Sequence, residues 1–228
     1  MPWLVHLYTA SGIAFAFLAA LELCKAQPDA RLVFVWLTVA VLIDATDGPL
    51  ARRFEVKKRL PRIQGRTIDD LVDYLTFTFL PMLLVARLEW VPQPVLLFVI
   101  PALMTSLLGF ANSGAKDESA GFFLGFPSYW NIIAFYLGIT AAQGWIVLNG
   151  IIVLALAALT VLPVRFIYPN LAPPPWRAPI LLGAFVWLVL LAAMLPSYPH
   201  PPLWLTLASL VYPIFYTFVS WRVCEPSR

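Results

Sequence analysis

The chain has 228 residues, 61% of them hydrophobic and only 12% charged, with 15 Lys plus Arg against 12 Asp plus Glu and a formal net charge of +3. Soluble domains carry roughly twice that share of charge, so most of this surface must face lipid. A soluble enzyme, a disordered chain and a disulfide-stapled secreted module are excluded. The apolar runs are continuous rather than alternating, which argues against a β-barrel.

A membrane-crossing helix needs about 20 mostly apolar residues. Eight segments meet that demand, near Leu4–Glu22, Leu32–Asp47, Ile68–Ala86, Val95–Asn112, Phe122–Thr140, Trp145–Val164, Ala178–Leu195 and Leu203–Val223. The expected fold is an all-α polytopic membrane protein with about eight transmembrane helices. Pro81, Pro101, Pro127 and Pro213 fall inside these spans and predict local kinks. With eight spans, both termini share one side. That side holds Arg52, Arg53, Lys57, Lys58, Arg59, Arg62, Arg66, Lys116, Arg165, Arg177, Arg222 and Arg228. The other holds only Lys25, Arg31 and Arg87. The positive-inside rule places the richer side, and both termini, in the cytoplasm.

The opening residues do not read as a cleaved leader, since no basic residue precedes the first apolar run. Trp3, Trp176 and Trp221 near one membrane face, and Trp90, Trp145 and Trp204 near the other, read as interfacial belts. Cys24 and Cys224 come out on opposite faces, so no disulfide joins them in this reading. The loop Arg52–Arg66 can attract anionic headgroups, and nucleic acid is not an expected partner.

Five of the 12 acidic residues are Asp44, Asp47, Asp69, Asp70 and Asp73. Asp44 and Asp47 are three apart at the end of the second span. Asp69 and Asp73 are four apart at the start of the third. Both spacings put a pair on one helix face. The two spans are antiparallel neighbours, so the pairs stand at similar depth and face each other. Ionisable groups in a bilayer are expensive and mark function. Four carboxylates together need a cation, and Mg²⁺-type ions take carboxylate and phosphate oxygens. Two such ions assist in-line phosphoryl displacement. With only His6 and His200 in the chain, a zinc site is not expected. A lone Asp here would read as a helix cap paired with the basic loop; four at these spacings do not. Gly48 and Ala51 are small enough to admit a bulky group, Arg52 can offer a planar fork to phosphate, and Gly65 lets the chain turn into the third span. Asp70 points about 100° away from Asp69 and suits either a role supporting the metal ligands from behind or a loop-pairing one.

Taken together, Asp44-x2-Asp47-Gly48-x2-Ala51-Arg52 … Gly65-x3-Asp69-x3-Asp73 resembles the signature of the CDP-alcohol phosphotransferases. The spacer Arg53–Gln64 is twelve residues, longer than the usual eight of that family. In this it is similar to the bacterial phosphatidylcholine synthase branch, as are His6–Gly12 and Gly125–Asn131. The resemblance implies a six-helix catalytic core over residues 1–170 with two additional C-terminal helices over 171–228. It implies a transferase of the bacterial inner membrane, active site toward the cytoplasm, acting on CDP-diacylglycerol and choline with two divalent cations, Mn²⁺ or Mg²⁺. Asp44, Asp47 and Asp69 would ligate metal, with Asp73 a further ligand or neighbour and the general base. Asp47, Gly48, Ala51, Arg52 and Gly65 would line the cytidine diphosphate site, with Thr9 and Ser11 facing the nucleotide or packing the spans. A homodimer is implied by analogy.

Choline carries a quaternary ammonium, which is commonly held against aromatic faces. Tyr129 and Trp130, with Phe126 on the same expected span about 5–15 Å from its start, are the leading candidates. Tyr74 and the Asp117/Glu118 pair stand in reserve. Arg165 is a candidate for a lipid phosphate or a topology anchor. The alternatives are another acceptor (serine, inositol or glycerol phosphate), a cation transporter with an Asp-lined site, or a membrane scaffold. The transporter would be expected to show inverted repeats, and none is visible in the sequence.

Overall fold

The structure is a computed structural model and describes residues 2–112, 114, 116–117 and 121–224. Glu118 and Arg228, and the side chains of Lys116 and Asp117, lie outside the described residues. Each of the eight apolar runs contributes a helix, because lipid offers the backbone no partner and the chain must satisfy its own N–H and C=O groups. Helices α1 (Pro2–Ala10) and α2 (Gly12–Leu23) form one 22-residue rod interrupted at Ser11. Helix α3 (Ala30–Arg53) has 24 residues, longer than Leu32–Asp47, so the whole run from Asp44 to Arg52 is helical. After a single turn, α4 (Val56–Arg59), the third rod is composite. It runs from α5 (Gly65–Asp73) through a π-helical segment, Tyr74–Phe79, into α6 (Leu80–Arg87). The Leu80 N–H reaches the carbonyl of Leu75, five residues back. This wide turn comes just before Pro81, which cannot donate to the ladder and whose ring would crowd the carbonyl four residues earlier.

Helices α7 (Leu96–Ala111), α8 (Trp130–Ala142), α9 (Ile146–Val161), α10 (Pro174–Met194) and α11 (Leu203–Cys224) follow. Among the described residues, four helical stretches are long and apolar enough to cross a membrane: Pro2–Leu23, Ala30–Arg53, Pro174–Ser197 and Leu203–Val223. Helices α7, α8 and α9 are apolar but shorter, at 16, 13 and 16 residues. The protein is an all-α polytopic membrane protein with a small β element.

One compact unit comprises the chain up to Leu103 together with Tyr129–Leu137. Its centre is the packing of α2 along α3. Helix α3 turns Val33, Phe34, Leu37 and Ala40 inward, and α2 offers Ala16 and Ala19. Small side chains let helix backbones approach closely where lipid supplies no hydrophobic drive. Phe34 meets Phe135 edge to face, with ring centroids 5.1 Å apart. Helix α1 packs on both α3 and α5, and its Tyr8 hydroxyl lies 2.7 Å from that of Thr46.

The second unit comprises Met104–Ser128 and the chain from Gly138 onward. It contains an antiparallel sheet of β1 (Lys116–Asp117), β2 (Phe122–Leu124) and β3 (Arg165–Ile167), in that order. Phe122 pairs with Ile167, and Leu124 with Arg165. Ile167, Ile180 and Val219 form a buried cluster under the sheet, and Tyr216 donates to the Ile167 carbonyl at 2.7 Å.

The sheet corrects the expected fifth span. Phe122–Leu124 is extended, and Gly125 and Ser128 take positive φ of 79° and 58°. A Cβ at Gly125 would stand 2.2 Å from the Thr160 carbonyl oxygen, so only glycine fits there. The helix starts at Trp130, and Phe126, Pro127 and Tyr129 belong to the connection before it. A short apolar run does not by itself distinguish strand from helix. Trp90 is a second correction, because it is 8% exposed and therefore packed inside. Trp3, Trp145, Trp204 and Trp221 are exposed.

The three basic residues of the sparsely charged side all have local partners. Lys25 pairs with Glu22, Arg87 donates to the Lys25 and Ala26 carbonyls, and Arg31 forks onto Asp29 at 2.8 Å. Asp29 also caps α3 by accepting from the Arg31 N–H at 2.9 Å. The Arg31 guanidinium holds the Asp29 carboxyl below the usual carboxylate range. A depressed carboxylate stabilises the fold above its unfolded value and loses that contribution as pH falls through the folded one. Asp29→Ala should therefore cost about 1 kcal/mol, as for loss of an N-cap. The difference in thermal midpoint from wild type should shrink as the solution is taken below the carboxylate range.

Candidate active site

The site is built on three helices and the loop joining two of them. On α3, Asp44, Asp47, Gly48, Ala51 and Arg52 recur at three, four, seven and eight residues, which makes one stripe. On α5, Gly65, Asp69 and Asp73 follow at four-residue steps. Helix α1, packed on both α3 and α5, brings Val5, His6 and Thr9.

Asp44, Asp47 and Asp69 each place one carboxylate oxygen so that all three lie within 4.8 Å of one another. Two oxygens bound to one ion at about 2.0–2.6 Å can stand at most about 5 Å apart, so the triad meets that condition. The donors are all carboxylate oxygens, a set that suits a hard divalent cation. Asp47 is buried, and Asp44 and Asp69 are half-buried. Thr9 lies beside Asp47, and the Gly48 N–H faces the same carboxylate. Asp73 is outside this close group, one turn further along α5.

A cavity of about 500 Å³ opens beside the triad. Its walls include Asp47, Gly48 and Ala51 from α3, Gly65 and Asp69 from α5, and Thr9 from α1. Six expected site residues thus meet at one cavity. Arg52 is placed alongside it, since a Cβ on Gly48 would stand 3.4 Å from Arg52 Nη1. Ser11 is not on the cavity wall; its hydroxyl donates to the Tyr8 carbonyl at 2.6 Å, at the break between α1 and α2.

The remaining walls were not anticipated from sequence. Val56, Lys57, Pro61, Ile63 and Gln64 come from the spacer, Arg66 from the first turn of α5, and His6 from α1. Val56 is 3% exposed and anchors the spacer, and Glu55 turns the chain with φ of 50°. The spacer's length and basic character were the available signal, but they read as topology. Arg66 stands 3.6 Å from Asp70, a pair four residues apart within α5.

Among the aromatic candidates, Tyr129 packs against Phe77 with centroids 5.9 Å apart. Phe77 follows Asp73 by four residues in the π-helical segment. Trp130 is fully buried. Tyr74 donates its hydroxyl to the Leu103 carbonyl at 3.1 Å. Arg165 lies in β3 of the second unit, exposed and opposite Leu124.

No protein-family model matches the chain. Individual relatives do. A phosphatidylcholine synthase of Pseudomonas aeruginosa is 36% identical over 224 residues, covering 96% of this chain and 91% of the relative. One from Rhizobium meliloti is 36% identical over 203 residues, 87% of this chain and 80% of the relative. One from Agrobacterium fabrum is 33% identical over 215 residues, 92% of this chain and 86% of the relative. Similarity of that extent, over a chain whose helices bring Asp44, Asp47 and Asp69 together, shows that the protein belongs to the phosphatidylcholine synthase family.

Proposed function

We propose that this protein condenses CDP-diacylglycerol with choline to give phosphatidylcholine and CMP at the cytoplasmic face of a bacterial inner membrane. The observation that carries the reading is the carboxylate triad, two of whose members, Asp47 and Asp69, line a cavity that also takes in the small Gly48, Ala51 and Gly65 and the basic Lys57 and Arg66. Asp44, Asp47 and Asp69 would hold a divalent cation, and with Asp73 as a neighbour a second, Mn²⁺ or Mg²⁺ suiting the oxygen donors; bound there, such ions would supply positive charge beside the nucleotide phosphates. The flat Gly48–Ala51 face admits the nucleotide. Arg52, Lys57 and Arg66 supply positive charge for its diphosphate. Asp73 accepts the choline hydroxyl proton. The choline oxygen bonds to the phosphorus that carries diacylglycerol, the bond from that phosphorus to the CMP oxygen breaks, and CMP departs. Tyr129, beside Phe77, offers an aromatic face for the ammonium, whereas Trp130, expected to share that role, is fully buried and presents no face. Arg165 offers a cation to a lipid phosphate. The catalytic core would take in residues 1–170, with residues 171–228 as two added helices, and two copies would form a homodimer.

Lys57 and Arg66 on the cavity wall give specific support to a second reading, a phosphorylated acceptor such as glycerol phosphate, because such an acceptor needs an added basic pocket. A turnover assay with CDP-diacylglycerol, Mn²⁺ and a panel of alcohols separates the two. Choline alone should release CMP; release with glycerol phosphate instead would favour the second reading, and none with any alcohol would sink both. Asp73→Asn should abolish turnover while CDP-diacylglycerol still binds. Asp47→Asn should weaken Mn²⁺ binding, followed by electron paramagnetic resonance, by tenfold or more, whereas Asp70→Asn should leave it within about twofold. Tyr129→Ala should raise the KM for choline severalfold with little change in that for CDP-diacylglycerol.

A further inference from the structure

We propose that His6 positions the nucleotide, its imidazole being a hydrogen-bond partner of the cytidine diphosphate portion of the lipid substrate. This rests on the cavity beside the Asp triad being the nucleotide site. His6 is 8% exposed, and its side chain forms part of the same cavity wall as Thr9, Asp47 and Asp69. Its Nε2 is fully buried with no hydrogen-bond partner among the described residues. Buried polar nitrogens are nearly always bonded, and an unbonded one has a free-energy cost that a leucine or phenylalanine of similar size would avoid. A ring kept for packing alone does not account for a histidine here.

The ring is also held in place by shape. A Cβ on Gly65 would stand 2.9 Å from His6 Cε1 and 3.3 Å from Nδ1. The glycine that opens α5 therefore leaves room for the imidazole, and the Cε1–Nδ1 edge lies against the cavity wall where Gly65 stands. Asp69 is one turn beyond Gly65 on α5, and Thr9 is one turn beyond His6 on α1. The unpartnered nitrogen, Nε2, is bonded to Cε1 and so lies at the Gly65 end of the ring, in a residue that lines the same cavity as Thr9 and Asp69. His6 is not a metal ligand in this arrangement, since no ring nitrogen joins the 4.8 Å group of Asp44, Asp47 and Asp69. Its partner is a nucleoside diphosphate, through a phosphate oxygen or a carbonyl of the base.

The test uses the full chain in lipid nanodiscs with Mn²⁺. His6→Leu and His6→Phe remove both nitrogens, and His6→Asn and His6→Gln return an amide near the positions of Nδ1 and Nε2. CMP affinity is measured by calorimetry, KM separately for CDP-diacylglycerol and choline, and folding by thermal midpoint. The apolar variants should weaken CMP binding and raise the KM for CDP-diacylglycerol about tenfold. The KM for choline should stay within about twofold and the thermal midpoint should not fall. Asn or Gln should recover part of the affinity. Unchanged CMP affinity in a folded apolar variant overturns the proposal. So does a loss that only tracks the thermal midpoint and is not recovered by either amide. If His6→Leu does not fold, His6→Phe decides on the same criteria; if neither folds, partial CMP affinity in one amide variant and tenfold loss in the other supports the proposal, and equal wild-type affinity in both overturns it. A wild-type protein that binds CMP and turns over, but is indifferent to His6, sinks this inference alone. A wild-type protein that neither binds CMP nor turns over sinks the underlying reading.

Discussion

Three carboxylate oxygens within 4.8 Å of one another set the terms for the rest of this molecule. At that separation each pair of full charges repels by roughly 3–4 kcal/mol at an effective dielectric of about 20. A divalent cation held by the three oxygens would offset that repulsion. The helix geometry follows from the same requirement. Helix α3 runs past the end of its apolar stretch to Arg53, so that Asp44, Asp47, Gly48 and Ala51 stay on one stripe. Helix α1 packs on both carboxylate-bearing helices and lends Thr9 to Asp47.

The basic residues serve two separate ends. On the sparsely charged side, Lys25, Arg31 and Arg87 each close off a helix end, through Glu22, Asp29 and two backbone carbonyls. On the other side, the spacer folds back so that Lys57, with Arg66 beside it, reaches the cavity. The basic spacer thereby shapes the electrostatics of the pocket. The buried Val56 fixes that loop to the helices, and the mostly exposed cations around it remain able to meet an anionic ligand.

The membrane class and the carboxylate cluster were legible because both are expensive. Long apolar runs have no soluble explanation, and charges in lipid need a reason. Helical periodicity then placed Asp44 with Asp47 and Asp69 with Asp73, although it could not show that Asp73 falls outside the tight triad. What was missed depended on tertiary closure. Phe122–Leu124 is as apolar as a lipid-facing helix, and only its pairing with Arg165–Ile167 makes it a strand. Trp90 looked interfacial because its neighbours in sequence are at a helix end, yet it is buried. His6 heads a stretch that the resemblance picks out, but its place against Gly65, 59 positions away, is visible only in the fold.

The π-helical turn at Tyr74–Phe79 separates two demands on the third rod. In an uninterrupted α-helix, the angle at which α5 shows Asp69 would dictate the angle at which α6 buries Met82, Leu84 and Val85. A wide turn takes up one residue, so the polar half and the packed half keep separate phases. One residue can then be lost between them without rotating either face. Shortening this segment by a single position, which returns the wide turn to α geometry, is thus a change the rod accommodates with both faces kept, while the same change inside α3 would turn Asp44 and Asp47 away from Gly48 and Arg52.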